Sequence, residues 1–211
     1  MLKPILIELE MKTINGVANP QLTPNLPIVE GLGNLSLKHF KLIQRIIRIN
    51  KKAKESFDIW EQIQKTKLVP QDYFLISEEL IFHMRRAVDD MISLVWVLEE
   101  NKKTPGLKMD KLIVKDIGNY LNLIKSDTNE FKAFNDHEEF LNLLNDFANS
   151  FKHSFVDSDQ SRIGLNEPCI FTLYMKGHLV DEDNYKFHGV SQNSLMDSFN
   201  SFFKTYQKHI K

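Results

Sequence analysis

Residues 36–66 read SLKHFKLIQRIIRINKKAKESFDIWEQIQKT, and this stretch decides the fold. Phe40, Ile43, Ile46, Ile47, Phe57, Trp60 and Ile63 recur at three- and four-residue steps, the period of one helix face. Ser36 can cap the first turn. A long amphipathic helix over about 36–66 follows, and it needs other helices against which to bury its stripe.

Moving toward the C-terminus, Pro70 closes the connection, and a second helix is expected over about 72–100. Its stripe is Leu80, Met84, Ala87, Val88, Met91, Val95 and Leu98, with Arg85, Arg86, Asp89 and Asp90 turned away. Beyond Pro105 and Gly106, a third helix is expected over about 108–126, through Ile113, Ile117, Tyr120 and Ile124, although Gly118 weakens it. The fourth starts at Asp136, with Glu139 three residues on as a capping-box partner. Phe140, Leu143, Leu144, Phe147, Phe151 and Ser154 then share a face.

Residues 157–161 form a polar loop, and Cys169–Met175 and Tyr185–Val190 read as two strands. Ser191 opens a last amphipathic helix with Leu195, Phe199, Phe202, Phe203, Tyr206 and Ile210. Helical spacing marks that aromatic ladder as core or dimer contact rather than a base-stacking platform.

Toward the N-terminus, Ile5, Ile7, Leu9 and Met11 alternate with Glu8, Glu10 and Lys12, as in a half-buried strand. It is expected to join the 169–190 hairpin, because an isolated two-stranded hairpin is marginal in water. Residues 15–35 carry Asn15-Gly16, Pro20, Pro24, Pro27, Gly31 and Gly33 and read as a loop or wrapping arm, in which Leu22, Leu26, Ile28 and Val29 can pack. The fold class is mainly α: a bundle of four or more helices with a small antiparallel hairpin or sheet and a C-terminal helix. Residues 1–35 form the N-terminal strand and arm, 36–156 the bundle, and 157–211 the hairpin and helix, together one domain.

The chain has 211 residues, 42% hydrophobic and 26% charged, which excludes wholesale disorder. Lys+Arg 27 against Asp+Glu 28 leaves a net charge of -1, so no global field draws it to nucleic acid or membrane. One cysteine, Cys169, excludes an intramolecular disulfide framework and four-cysteine zinc sites. No apolar run is long enough for a membrane span or a secretory signal, so a cytoplasmic protein is expected.

No phosphate-binding glycine loop, zinc-helix motif or nucleophile elbow is present. His137, Glu138 and Glu139 are consecutive and point apart, so neither metal nor cofactor is expected. Arg85 with Asp89 and Arg86 with Asp90 stand at i,i+4, as on a solvated charged face where each pair adds a few tenths of a kcal/mol. The alternative is that one arginine faces a neighbouring helix and serves a polar site. Arg45, Arg48, Lys51, Lys52 and Lys54 form a basic stretch able to meet phosphates, diluted by Glu55 and Asp58.

The segment Asp146-Phe-Ala-Asn-Ser-Phe-Lys-His153 is richer. With Phe147 and Phe151 toward the core, Asn149 and His153 lie one turn apart on the far side, and Asn142 and Asn145 extend that side. The stripe ends beside Lys152. Amides in such a row suit water, a polar interface or a polar ligand.

Asn149-Ser-Phe-Lys-His153 resembles the signature of the HEPN superfamily, small helical bundles carrying Arg, usually Asn, three variable residues and His. The resemblance covers that motif and the helical layout over about 36–156. It implies a homodimer, and, in active members, metal-independent endoribonuclease chemistry in which His is the acid/base and Arg holds phosphate across the dimer interface. Here Ala148 stands where the family has its arginine, so only Asn149 and His153 carry over as catalytic candidates. An alanine can neither grip a phosphate nor stabilise an oxyanion. Arg85, Arg86, Lys152 and Asn145 are the candidate substrate-binding residues. The expected function is a non-catalytic or weakly active module binding RNA or a partner protein, in a toxin–antitoxin or antiviral defence setting that the resemblance implies. The alternatives are a metal-independent ribonuclease using His153, and a purely structural dimerising protein.

Overall fold

The computed structural model describes residues 3–9, 11–14, 17–20, 24–68, 70, 72–106, 108–109, 111–126, 130–153, 166–175 and 185–210; at 11–14, 17–20, 153, 174–175 and 185 it describes the backbone only. The elements run β1 (Met11–Ile14), β2 (Val17–Pro20), β3 (Ile28–Val29), β4 (Gly33–Asn34), α1 (Leu35–Thr66), α2 (Asp72–Lys103), α3 (Ile117–Ile124), a 3₁₀ turn (Asn135–His137), α4 (Glu138–His153), β5 (Cys169–Met175), β6 (Tyr185–Ser191) and α5 (Gln192–His209). The fold is mainly helical, as its periodicity predicts. The strands pair two by two, β1 with β2, β3 with β4 and β5 with β6, all antiparallel.

Helices α1 and α2 lie antiparallel. Lys52 Nζ meets Glu79 Oε2 at 2.7 Å near one end, and Lys38 Nζ donates to Ser93 Oγ at 2.8 Å near the other. Between these, α1 buries Leu42, Ile43, Ile46 and Ile49, and just beyond Lys52 it buries Ala53 and Phe57. Phe40 and Ile47, expected in that stripe, are instead exposed. From Met91 to Leu98 every residue of α2 is buried, so α2 is the central helix. Most buried apolar side chains from Ile7 to Tyr206 form one continuous cluster in which α1–α5 all take part, and Trp60, Ile63 and Tyr73 form a second, smaller one. Fully burying one such side chain contributes roughly 1.5–3 kcal/mol.

Asn34, not Ser36, caps α1: its side chain accepts from the Ser36 amide at 2.9 Å. The Ser36 hydroxyl is turned back onto the arm and donates to the carbonyls of Pro24 and Leu26. The third helix is half the expected length. The Met109 amide donates to the Glu30 carbonyl at 3.0 Å, which takes that segment out of helical pairing, and Asp116 caps α3 by accepting from Asn119 N at 2.7 Å. Asp136 falls inside the 3₁₀ turn rather than at the cap of α4. Ser191 does cap α5, accepting from Ser194 N.

The N-terminal segment joins no sheet at residues 3–9. Three asparagine amides hold it instead. Asn50 on α1 accepts from Ile7 N at 2.8 Å and donates to Ile7 O at 2.9 Å. Asn193 on α5 accepts from Ile5 N and donates to Lys3 O; Asn200 accepts from Glu8 N and donates to Leu6 O. Each amide offers the strap the acceptor and donor that a neighbouring strand would. Residues 11–14 and 17–20 pair as a separate hairpin, β1–β2, whose first strand overlaps the expected strand and whose second lies in the region expected to be loop; its two-residue connection, Asn15 and Gly16, lies outside the described residues, as do Leu22, Ser154 and the loop 157–161.

Phe199, Phe202, Phe203 and Tyr206 of α5 are all buried, and Phe134 stacks on Phe202 with ring centroids 4.5 Å apart. The aromatic ladder is core. Among the described residues, no helix is long and apolar enough to cross a membrane.

Candidate functional site

Arg85 sits where α2, α3 and α4 meet. Its Nε donates to Asp89 Oδ1 at 3.1 Å and its Nη1 donates to Asn145 Oδ1 on α4. The same Asp89 oxygen accepts the Ile117 amide at 2.9 Å, tying in the first turn of α3. The Arg85 and Asp89 side chains are only 18% and 16% exposed, which corrects the expectation of a solvated charged face. Burial raises the Asp89 carboxyl above its ordinary range, against the opposing pull of Arg85 and the Ile117 amide. Asp90 turns the other way, its Oδ2 lying 3.7 Å from Arg45 Nε on α1. Of the two arginines, Arg86 alone is exposed.

The buried face of α4 is formed by Phe140, Leu141, Leu144, Phe147 and Ala148, while Leu143 and Phe151 are half-buried. This face is rotated relative to the expected one, and the rotation carries Asn145 toward α2 rather than away from the core. Asn142 donates to the Glu138 carbonyl one turn back, Asn149 is half-buried, and Lys152 is exposed. His153 is the last residue of α4, and its side chain lies outside the described residues. Of the sequence-predicted site residues, the structure brings together Arg85 and Asn145; it joins neither Arg86 nor Lys152 to them. Ala148 is 5% exposed, so the position of the family's arginine is a core position here.

A second polar feature lies on the opposite side of α2. Lys41, Gln44, Arg45, Ile47, Arg48 and Lys51 of α1 line an open groove of about 530 Å³ with His83 of α2. The basic stretch therefore divides. Lys52 turns to Glu55 and Glu79, Lys54 is exposed outside the groove, and Lys41, not counted in the stretch, joins it. Burial, then Arg48 and Arg45, push the His83 imidazole below its usual range, so it is a neutral lining at pH 7. The Nε of Arg45 is buried without a hydrogen-bond acceptor. Reading the stretch by consecutive position missed this site, because alternate lysines point around the helix. The i,i+3 and i,i+4 series 41, 44, 45, 48 is the signal that finds it.

His39 and Tyr206 make a buried pair at 2.6 Å, and burial depresses the His39 pKa to about 4. His188 of β6 faces Asp146 of α4 at 3.2 Å. Among the described residues no three His, Cys, Asp or Glu side chains group as a metal site. Comparison with known proteins finds no matching family, no matching characterised protein and no matching solved structure.

Proposed function

We propose that the protein is a HEPN-like helical module that binds RNA without cleaving it, working as a cytoplasmic homodimer in the toxin–antitoxin or antiviral defence setting that the resemblance implies. The observation that supports this reading is the engagement of Arg85. Two of its donors are already committed to Asp89 and Asn145, and the motif's own arginine position is the buried Ala148. The Asp89 carboxylate beside that guanidinium already balances its charge, and the arginine side chain is only 18% exposed. With alanine at the motif's arginine position, the charge developing in phosphodiester cleavage has no guanidinium partner from this motif.

The test is incubation of mixed RNA with wild type and His153→Ala, followed by gel analysis of cleavage and of complex formation. Both proteins are expected to shift RNA and to leave it intact. Cleavage by wild type alone restores the metal-independent ribonuclease, with His153 as acid/base and Asn149 orienting it. A dimer that neither shifts nor cleaves RNA leaves the purely structural reading.

A further inference from the structure

We propose that the α1–α2 groove is the RNA-binding surface and that its occupant is the backbone of single-stranded RNA; this rests on the RNA-binding reading above. Lys41 to Lys51 spans about 15 Å along α1, at about 1.5 Å per residue. Over that length the groove presents Lys41, Arg45, Arg48 and Lys51 in a row. Arg86 shares a helix face with His83, three residues away, and extends the row on the α2 side; its charge is felt at Lys38 on α1.

Counter-charge is thin. Asp90 stands 3.7 Å from Arg45 and Glu55 3.8 Å from Lys51, both beyond hydrogen-bond reach. Lys41, Arg48 and Arg86 make no ion pair among the described residues. A row of cations along an open groove is an anion site, and its run of about 15 Å fits a polyanion rather than an enclosed small molecule.

The apolar residues beside it choose the polymer. Ile47 lines the groove and is 39% exposed, and Phe40, 37% exposed, stands one turn before Gln44 and two before Ile47 on the same face of α1. Exposed aromatic rings next to cations are what unpaired bases stack on, whereas a duplex keeps its bases inside. A bilayer surface is met by protruding residues, not by a concave row.

The experiment is fluorescence anisotropy of the full chain with a labelled single-stranded oligouridine, run across a salt series. The double variant Lys41→Gln/Arg48→Gln is expected to weaken binding about tenfold and to flatten the log–log salt slope by roughly 1.4, about 0.7 per phosphate contact. Lys54→Gln, exposed outside the groove, is expected to bind as wild type. Circular dichroism confirms that each variant is folded. Undiminished binding by the double variant overturns the groove and leaves RNA binding standing elsewhere on the protein. Absence of binding by wild type overturns both readings. Capture of anionic phosphatidylserine vesicles in preference to RNA, lost in the double variant, makes the groove a membrane-contact surface and overturns RNA as its occupant.

Discussion

Arg85 on α2 and Asn145 on α4 stand 60 residues apart and are joined by a hydrogen bond from Nη1 to Oδ1, while the Nε of the same guanidinium holds Asp89. The contact fixes the crossing of two helices by one planar group. It also engages the arginine that reaches the motif's helix from α2.

Asn145→Ala leaves the half-buried guanidinium short of an acceptor and is expected to lower unfolding stability by about 1–3 kcal/mol. Arg85→Met with Asn145→Leu removes both partners and is expected to cost less than the sum of the two single changes. Urea unfolding of the four proteins measures the coupling; strict additivity would mean that the bond carries no stability.

His39 supplies a pH dependence whose sign is fixed by burial. The folded imidazole holds its proton only below about 4, whereas an unfolded histidine takes one up near 6.5. The neutral form's advantage is complete above pH 6.5 and is lost as pH falls toward 4, by up to about 3 kcal/mol. Denaturant midpoints at pH 7 and pH 4.5 should therefore separate more in wild type than in His39→Gln. Equal separations would place the acid sensitivity elsewhere.

Gly31 and Gly33 both have positive φ, 88° and 83°, but differ in their surroundings. A Cβ on Gly31 would lie 2.3 Å from the Met109 carbonyl oxygen, whereas one on Gly33 meets nothing within 4 Å. Gly33→Ala is expected to cost about 1 kcal/mol, the left-handed backbone penalty alone. Gly31→Ala should cost clearly more, since a backbone contact must give way as well. Thermal unfolding midpoints rank the two, and a reversed order would refute the close approach of these segments.

The amide clamp on residues 3–9 is testable by hydrogen exchange. In Asn50→Ala the Ile7 amide loses its acceptor, and its exchange should accelerate markedly while amides in the middle of α2 keep their protection. Uniform acceleration across the chain would show instead that the strap is part of the global unfolding unit.

What could be read in the sequence follows the range of each interaction. Helices α1, α2 and α5 and the β5–β6 hairpin carry their own period and punctuation, and Ser191 announces α5 three residues before the amide it caps. Helix α3 is shorter than its periodicity predicts because the Met109 backbone is claimed by Glu30, almost 80 residues upstream, a competitor that no local pattern reveals. The motif Asn149–His153 is legible because it lies on one helix turn. The fate of Arg85 is not, because Asn145 belongs to another helix. Ala148 looks like a lost arginine in sequence; the rotation of α4 shows it as a core residue. The groove hides for the complementary reason. Its cations come from a stretch whose neutralising partners, Glu79 and Asp90, sit on α2 and cover only part of it.

The asparagine clamp also gives the chain a temporal order. Asn193 and Asn200 lie 188 to 194 residues from the backbone groups they hold, so residues 3–8 can be docked only after α5 has left the ribosome. Until then Ile7 has Asn50 alone and an unfinished core to rest on. Emergence of α5 is thus the event that fastens residues 3–8, and contacts of such long reach place this closure among the slow steps of folding.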